Sequence, residues 1–284
     1  MMDDGPSERD ASLTLNELRF HYRDWGDPQA PPLLLLHGYT SHARSWDTIA
    51  RALADRFRVL ALDQRGHGES DLASDYDEQR LVEDLAAFVD ALGLGSFAAV
   101  GFSIGGFAAA SYAVRHPERV TRLVLAECFA KETSAEAAAH ISALRALPTA
   151  YDGPAENAAA RAANAFRPLA PHASEDELRR WMMGGLDEGL DGQWGWRYDP
   201  VLRVPGGPGR LNPIPEVFAE RLGDVTCPML FVVGAESFAK DGAEAMAPLN
   251  PRARLVVLPE TGHWVPLDNP YGFLETVRPF FTET

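Results

Sequence analysis

Residues 97–114 read Phe97-Ala98-Ala99-Val100-Gly101-Phe102-Ser103-Ile104-Gly105-Gly106-Phe107-Ala108-Ala109-Ala110-Ser111-Tyr112-Ala113-Val114. An apolar run is followed by a Gly-x-Ser-x-Gly turn and then by an alanine-rich stretch, which predicts a buried strand, a tight turn and a helix. A serine lifted to the tip of such a turn takes up an unfavourable backbone conformation, so the residues two positions away on either side must lack bulk. Gly101 and Gly105 meet that need. The first amides of a helix have no intrahelical acceptor, and the amide of Ile104 therefore points at the space above the serine, where it can donate to a developing oxyanion.

Outward from this turn the chain alternates between strands and helices. Upstream, residues 13–16 and 18–25 read as a short antiparallel pair, 33–36 and 58–62 as buried strands, and 46–57 as a helix between them. Residues 78–92 carry Leu81, Val82, Leu85, Phe88, Val89 and Leu92 on one helical stripe. Downstream, 122–126 is another buried strand. Such alternation predicts right-handed crossovers and a mostly parallel sheet covered on both faces. It stops between 129 and 222, where helical patterns over 136–147, 156–166 and 175–186 lie among loops rich in Gly, Pro and Trp. It resumes with strands at 229–233 and 254–258 and a closing helix over 271–281. The expected organisation is a core of residues 1–128 and 223–284 with a helical cap, 129–222, inserted over the end of the sheet where chemistry would sit.

Length and composition fit this plan. The 284 residues are 46% hydrophobic and 24% charged, enough for one large core with an insertion. Against 26 Lys and Arg stand 41 Asp and Glu, a formal charge of -15 with no basic cluster, so neither nucleic acid nor an anionic membrane is an expected partner. Residues 1–10 hold four acidic side chains and no apolar stretch, and no later run reaches membrane-spanning length. The expectation is a cytoplasmic protein with a loose N-terminal tail. Cys128 and Cys227 are far apart and are read as reduced, buried thiols rather than a disulfide or a metal site.

Four motifs then occur in a telling order: His37-Gly38, Asp63-Gln64-Arg65-Gly66-His67-Gly68-Glu69-Ser70, Gly101 to Gly106, and Gly262-His263. From about residue 13 onward the chain resembles the α/β-hydrolase superfamily, its insertion matching that family's cap domain. The resemblance implies the α/β-hydrolase fold, a mostly parallel central sheet with helices on both faces, and a serine-nucleophile, esterase-like member. Ser103 would be the nucleophile, needing a base because a free alcohol is hardly ionised at neutral pH. Dehalogenases and epoxide hydrolases of the same superfamily place Asp at this position, so the serine speaks for acyl transfer. His263 stands where the superfamily keeps its base. His37 and His67 are expected to brace the loops around the oxyanion site, Asp63 to order the turn around Arg65 and His67, and the other five histidines to lie at the surface or in the cap. The resemblance also implies the Tyr39 amide as second oxyanion donor, beside that of Ile104.

The acid of the triad stays open. Most relatives place Asp shortly after the strand at 229–233, where this chain reads Gly234-Ala235-Glu236-Ser237-Phe238. Other branches take it from the end of the strand after the elbow helix, where Glu127 stands. Glu127 is the preferred candidate, Glu236 the second and Asp241 the third. The expected activity is hydrolysis of carboxylic esters of small to medium apolar substrates through an acyl-enzyme, with no metal and no organic cofactor. Alternatives are a C–C hydrolase of ring-fission ketones, a perhydrolase, and a ligand-binding protein on a hydrolase fold. In the cap, Trp181, Met182, Met183, Trp194, Trp196 and Tyr198 either pack the insertion onto the core or form an apolar wall for the substrate. Oligomeric state is not legible.

Overall fold

The computed structural model describes residues 8–129, 135–204 and 220–283. An eight-stranded sheet runs in the order β1-β2-β4-β3-β5-β6-β10-β11, built from Glu8–Leu15, Leu18–Trp25, Arg58–Leu62, Pro32–Leu36, Phe97–Phe102, Val120–Ala126, Met229–Gly234 and Ala253–Leu258. Strand β2 pairs antiparallel with β1 and β4, and every pairing from β4 to β11 is parallel. The parallel strands are buried on both faces, which explains why Leu33 to Leu36 read as a continuous apolar run instead of alternating. One face carries Leu33, Leu35, Val100, Val124 and Val232 under helix α1 (Asp47–Leu53) and the closing helix Pro270–Thr282; the other carries Leu34, Leu36, Ala99, Leu125 and Phe231 under α2 (Glu78–Ala91) and α3 (Ile104–Arg115).

The helix expected over 46–57 is shorter: a 3-10 turn, Ala43–Trp46, leads into α1, which ends at Leu53 because Phe57 turns inward to meet Phe281 as the chain enters β4. The first strand is longer than expected, and Asn16 and Glu17, both at positive φ, make its hairpin turn.

Between β6 and β10 lie helices α4 (Ala135–Ala146), α5 (Ala155–Phe166) and α6 (Glu175–Gly185), close to the sequence expectation. The insertion, expected as helices joined by loops, also contains strands that the sequence reading did not include. Strands β7 (Ala150–Tyr151), β8 (Leu186–Glu188) and β9 (Trp194–Trp196) form a three-stranded antiparallel sheet, order β7-β9-β8. Runs of two or three residues are too short to show alternation, so periodicity could not find them. The insertion is seated on the core at several points: α6 packs on the 3-10 turn at 43–46, with Gly184 so near Arg44 and His42 that a Cβ there would stand 2.9 Å from each.

Candidate active site

Four non-glycine residues at the ends of sheet strands share a rare backbone conformation. Thr40 lies four residues past β3, Ser103 directly after β5, Glu127 directly after β6, and Glu260 two residues past β11, with φ of 58°, 51°, 57° and 47°. Side chains of L-residues avoid this region at a cost of roughly 1–3 kcal/mol each, so such a cluster at one end of a parallel sheet marks a functional edge. Ser103 combines this φ with a ψ of -118° as the cap of α3. The glycines around it are required by close approach. A Cβ on Gly105 would stand 2.6 Å from the carbonyl oxygen of His37, and one on Gly38 would strike the Phe102 ring and meet Ser103 Cβ at 3.4 Å. The loop after β3 is thereby pressed against the serine turn. Ser103 N donates to Ala126 O at 2.9 Å, tying the turn to β6.

Glu127 is fully buried, and its amide donates to Val232 O at 3.0 Å, which holds it between β6 and β10. Its carboxylate accepts from Gly234 N at 2.6 Å through Oε1, and from both the Ser237 hydroxyl and His263 Nδ1, the latter at 2.9 Å, through Oε2. Ser237 Oγ itself accepts from Ala239 N at 3.0 Å. Burial pushes the Glu127 carboxyl well above the usual carboxylate range, and the Ser237 and Gly234 donors pull it back. Burial alone moves the His263 imidazole down to about 3. The ring is therefore neutral at ordinary pH, with the Nδ1 proton facing Glu127 and Nε2 free to act as a base.

The other candidate acids lie elsewhere. Glu236 has a half-exposed side chain that accepts from His172 Nε2 at 2.8 Å, and Asp241 is fully exposed beside Lys240. The five histidines read as surface or cap residues divide. His21 is buried because Nδ1 reaches Asp63 at 2.7 Å, and His42 because Nε2 meets the Trp181 carbonyl at 3.0 Å, so both are corrections. His37 accepts from Gln64 N at 3.0 Å through Nε2 and donates from Nδ1 to Gly38 O at 2.8 Å, a brace across the base of its loop. His67 Nδ1 donates to Arg65 O at 2.9 Å. Asp63 accepts from Ala43 N, Glu69 N and His21 and is held down at about 2 against its own burial, tying the loops after β3 and β4 together.

Aromatic rings enclose His263. Phe238 stacks on it at 4.3 Å between centroids, and His140, Phe102 and Trp264 follow at 5.1, 5.4 and 6.1 Å. His140 accepts from Trp264 Nε1 at 3.2 Å, and burial brings it down to about 3, so it too is neutral. Trp264 continues the wall through Trp181 and Phe166, at 4.9 and 5.0 Å. Of the tryptophans from the insertion, Trp181 thus faces the site, while Trp196 stacks on Tyr198 and bonds Pro148 O. Behind Phe238 and His140 opens a groove of about 1080 Å³, lined also by Phe129, Pro168, Leu169 and Lys240. Sequence reasoning missed Ser237, Phe238 and His140 as neighbours of the His263–Glu127 pair. The one available signal was the absence of Asp at 237 or 238, which hid what replaces it.

Both cysteines are reduced and buried; Cys128 lies against Ser103 O at 3.5 Å and fills the space that Gly106 leaves beside β5. Among the described residues no cluster of His, Cys, Asp and Glu has the arrangement of a metal site, and no helix is long and apolar enough to cross a membrane.

With the sheet order and this strand-end geometry in hand, the sequence model of the family described as "alpha/beta hydrolase fold" matches residues 31–270. The chain belongs to the α/β-hydrolase family. It is 28% identical over 278 residues to the sn-1-specific diacylglycerol lipase ABHD11 of Mus musculus, covering 96% of this chain and 88% of that one. It is 30% identical over 264 residues to Esterase Rv0045c of Mycobacterium tuberculosis, covering 89% and 83%. Among solved structures, E-2-(acetamidomethylene)succinate hydrolase superposes with a TM-score of 0.86 at 22% identity, over 98% of this chain and all of that one. Epoxide hydrolase 3 of Xenopus tropicalis matches a shorter stretch, 38% identical over 111 residues, 38% of this chain and 30% of that one.

Proposed function

We propose that the protein is a serine hydrolase of carboxylic esters, with Ser103 as nucleophile, His263 as general base and acid, and Glu127 as the carboxylate that orients the imidazole. The observation that carries the reading is the 2.9 Å bond between His263 Nδ1 and Glu127, beside a serine held at positive φ on the adjoining strand end. In the first half-reaction Ser103 Oγ attacks the ester carbonyl while His263 Nε2 takes its proton. The tetrahedral oxyanion is held by the amides of Tyr39 and Ile104. His263 then returns the proton to the leaving alcohol, and an acyl-serine remains. Water, deprotonated by the same imidazole, attacks the acyl-serine and releases the acid. Serine at the elbow, where epoxide hydrolases resembling this chain place Asp, supports acyl transfer over alkyl transfer. Ester hydrolysis is also what the names of the relatives ABHD11, a diacylglycerol lipase, and Esterase Rv0045c describe for those proteins.

The insertion at 129–222 acts, on this reading, as a lid whose underside supplies Trp181 to the aromatic wall around Trp264. Such a wall favours esters of small to medium apolar parts, each buried methylene contributing about 0.8 kcal/mol. The test is Ser103→Ala. It is expected to abolish turnover of chromogenic esters and labelling by a fluorophosphonate while leaving the thermal midpoint nearly unchanged. Undiminished turnover in that variant overturns the assignment.

A further inference from the structure

Asp268 ends the short helix Val265–Asp268 that follows His263, and its side chain is buried. Its two oxygens accept from main-chain N–H groups of two different parts of the molecule. Oδ2 takes Gly262 N at 2.9 Å, in the loop that carries His263. Oδ1 takes Ala173 N at 3.1 Å and His172 N at 3.3 Å, at the corner of the insertion where the chain turns into α6. A carboxylate that served only its own loop would bond Gly262 alone. This one joins the insertion to the catalytic loop through a single planar group with acceptors on both sides.

Each end of this clamp is stiff. On the catalytic side the Thr261–Gly262 peptide is held at both edges, its N–H by Asp268 and its carbonyl by Glu236 N at 3.0 Å. A peptide unit is planar, so fixing both edges fixes the direction in which His263 leaves it. The loop needs such a restraint, because Glu260 sits at a φ of 47° and a Cβ on Gly234 would stand 2.2 Å from Thr261 O. On the side of the insertion, Arg167 donates to Ala173 O, and Ser174 caps α6 by accepting from Glu177 N at 3.1 Å. The same helix brings Trp181 to 4.9 Å from Trp264, the residue after His263. Insertion and catalytic loop therefore meet through rings and through Asp268, and only the second contact is directional. A further link, His172 Nε2 to Glu236, joins side chains that are 31% and 53% exposed, and such surface pairs carry little weight. Burial pushes the Asp268 carboxyl up to about 6, while the Gly262 amide, the His172 imidazole and the His172 and Ala173 amides pull it back.

We infer that Asp268 is a positioning residue for the reaction, one that makes the seating of the lid and the placement of the His263 imidazole a single event. The His172 and Ala173 amides hold one oxygen and the Gly262 amide the other. This rests on the ester-hydrolase reading and adds to it the route by which a substrate under the lid acts on the base. When the lid lifts, Oδ1 exchanges its two amides for water and the restraint on the Thr261–Gly262 peptide slackens; closure over substrate restores it. Because the imidazole is needed in the transition state rather than for binding, loss of Asp268 is read in kcat and not in KM.

Asp268→Asn keeps the size of the side chain but turns an NH₂ toward one set of amides. At pH 8, where the wild-type carboxyl is ionised, it is expected to lower kcat on a chromogenic ester by about tenfold to a hundredfold with KM within about twofold. Glu236→Gln, which weakens only the exposed link, is expected to stay near wild type. The downfield proton resonance of His263 Nδ1 is expected to broaden or vanish in Asp268→Asn, which a loss of stability alone does not do. Amide exchange followed by NMR reads the clamp without turnover: His172, Ala173 and Gly262 are expected to exchange at least about tenfold faster in Asp268→Asn, all three together. Coupling between two sites is reciprocal, so a fluorophosphonate adduct on Ser103 is expected to slow exchange at His172 and Ala173 by about threefold or more in wild type, and not in Asp268→Asn. The wild-type half of that comparison stands even if the variant folds poorly. An unchanged kcat in folded Asp268→Asn, a loss carried by KM instead, faster exchange at Gly262 with His172 and Ala173 unmoved, or a wild-type adduct that leaves those two amides unmoved overturns the proposal. Failure of the ester reading shows separately, as absence of fluorophosphonate labelling and of all ester turnover, while exchange in the free protein still decides whether Asp268 joins the insertion to the catalytic loop.

Discussion

Glu127 holds four interactions in one buried volume: its amide on Val232, and a carboxylate shared among Gly234, Ser237 and His263. Glutamine in its place would present an amide NH₂ or a neutral oxygen to Nδ1 and lose the fixed tautomer. Glu127→Gln is therefore expected to lower kcat by about 10³–10⁴-fold with KM little changed, while Glu236→Gln stays near wild type. Steady-state kinetics on a chromogenic ester decide between them, and the reverse pattern moves the acid to the later strand. Ser237 has a narrower role. It is one of the two residues, with Phe238, that stand where an Asp is expected after β10, and its hydroxyl donates to Glu127 Oε2, which favours the ionised form of Glu127. In Ser237→Ala that support is gone and the carboxyl pKa rises. The acid-side inflection of the kcat/KM profile is then expected at higher pH than in wild type, so the variant loses more at pH 6 than at pH 8; an unmoved profile denies Ser237 this part.

At the scale of elements, the approach of α3 to the loop after β3 depends on Gly105. Any Cβ there would be driven into the carbonyl oxygens of Leu36 and His37, which are backbone and cannot swing aside. Gly105→Ala is expected to destabilise the fold by about 1–3 kcal/mol and, by moving α3 off the Tyr39 loop, to cut kcat as well. Chemical denaturation and ester kinetics on the same variant check both halves, and a stable, fully active Gly105→Ala would show that the loop is not set by this contact. Another element-scale expectation concerns α6, which carries Trp181 to the wall. Truncation by Trp181→Ala opens space beside Trp264 and Phe166, so the preferred acyl length is expected to grow by one or more carbons. A graded series of neutral esters reads that directly.

Across the whole molecule, burial has collected neutral histidines. His37 and His42 are pushed down to about 4, and His67, His140 and His263 to about 3, burial being the main cause in every case. An unfolded histidine titrates near 6.5, so as pH falls the unfolded chain takes up these protons first. The stability they supply is complete above about 6.5 and is lost progressively as pH falls toward 4 and 3. Asp63, held at about 2, adds a loss below the ordinary aspartate range. Asp268, raised to about 6, and Glu127, also raised, act in the opposite direction, as do the smaller upward shifts of Asp47, Glu78, His21 and His172, and against them stand the five large histidine shifts. The thermal midpoint is therefore expected to fall steadily from pH 7 to pH 5, measured by scanning fluorimetry; a flat or rising midpoint contradicts the burial of these rings as neutral species.

The strand-turn-helix at Ser103, the strand–helix alternation and the interruption after β6 were all legible in the sequence, because each rests on short-range patterns: glycine spacing, periodicity and runs of apolar residues. The same patterns picked out Glu127 at a strand end as a candidate but could not rank it physically above Glu236, since both lie close to strand ends in sequence. Only the packing of β6 against β10 brings Glu127 under His263 and turns Glu236 outward to His172. The small sheet β7-β9-β8 and the Phe238–His140 enclosure of the imidazole were likewise decided by tertiary structure alone. Each depends on side chains far apart along the chain, and the burial that gives them their character exists only once the sheet and the insertion have closed on one another.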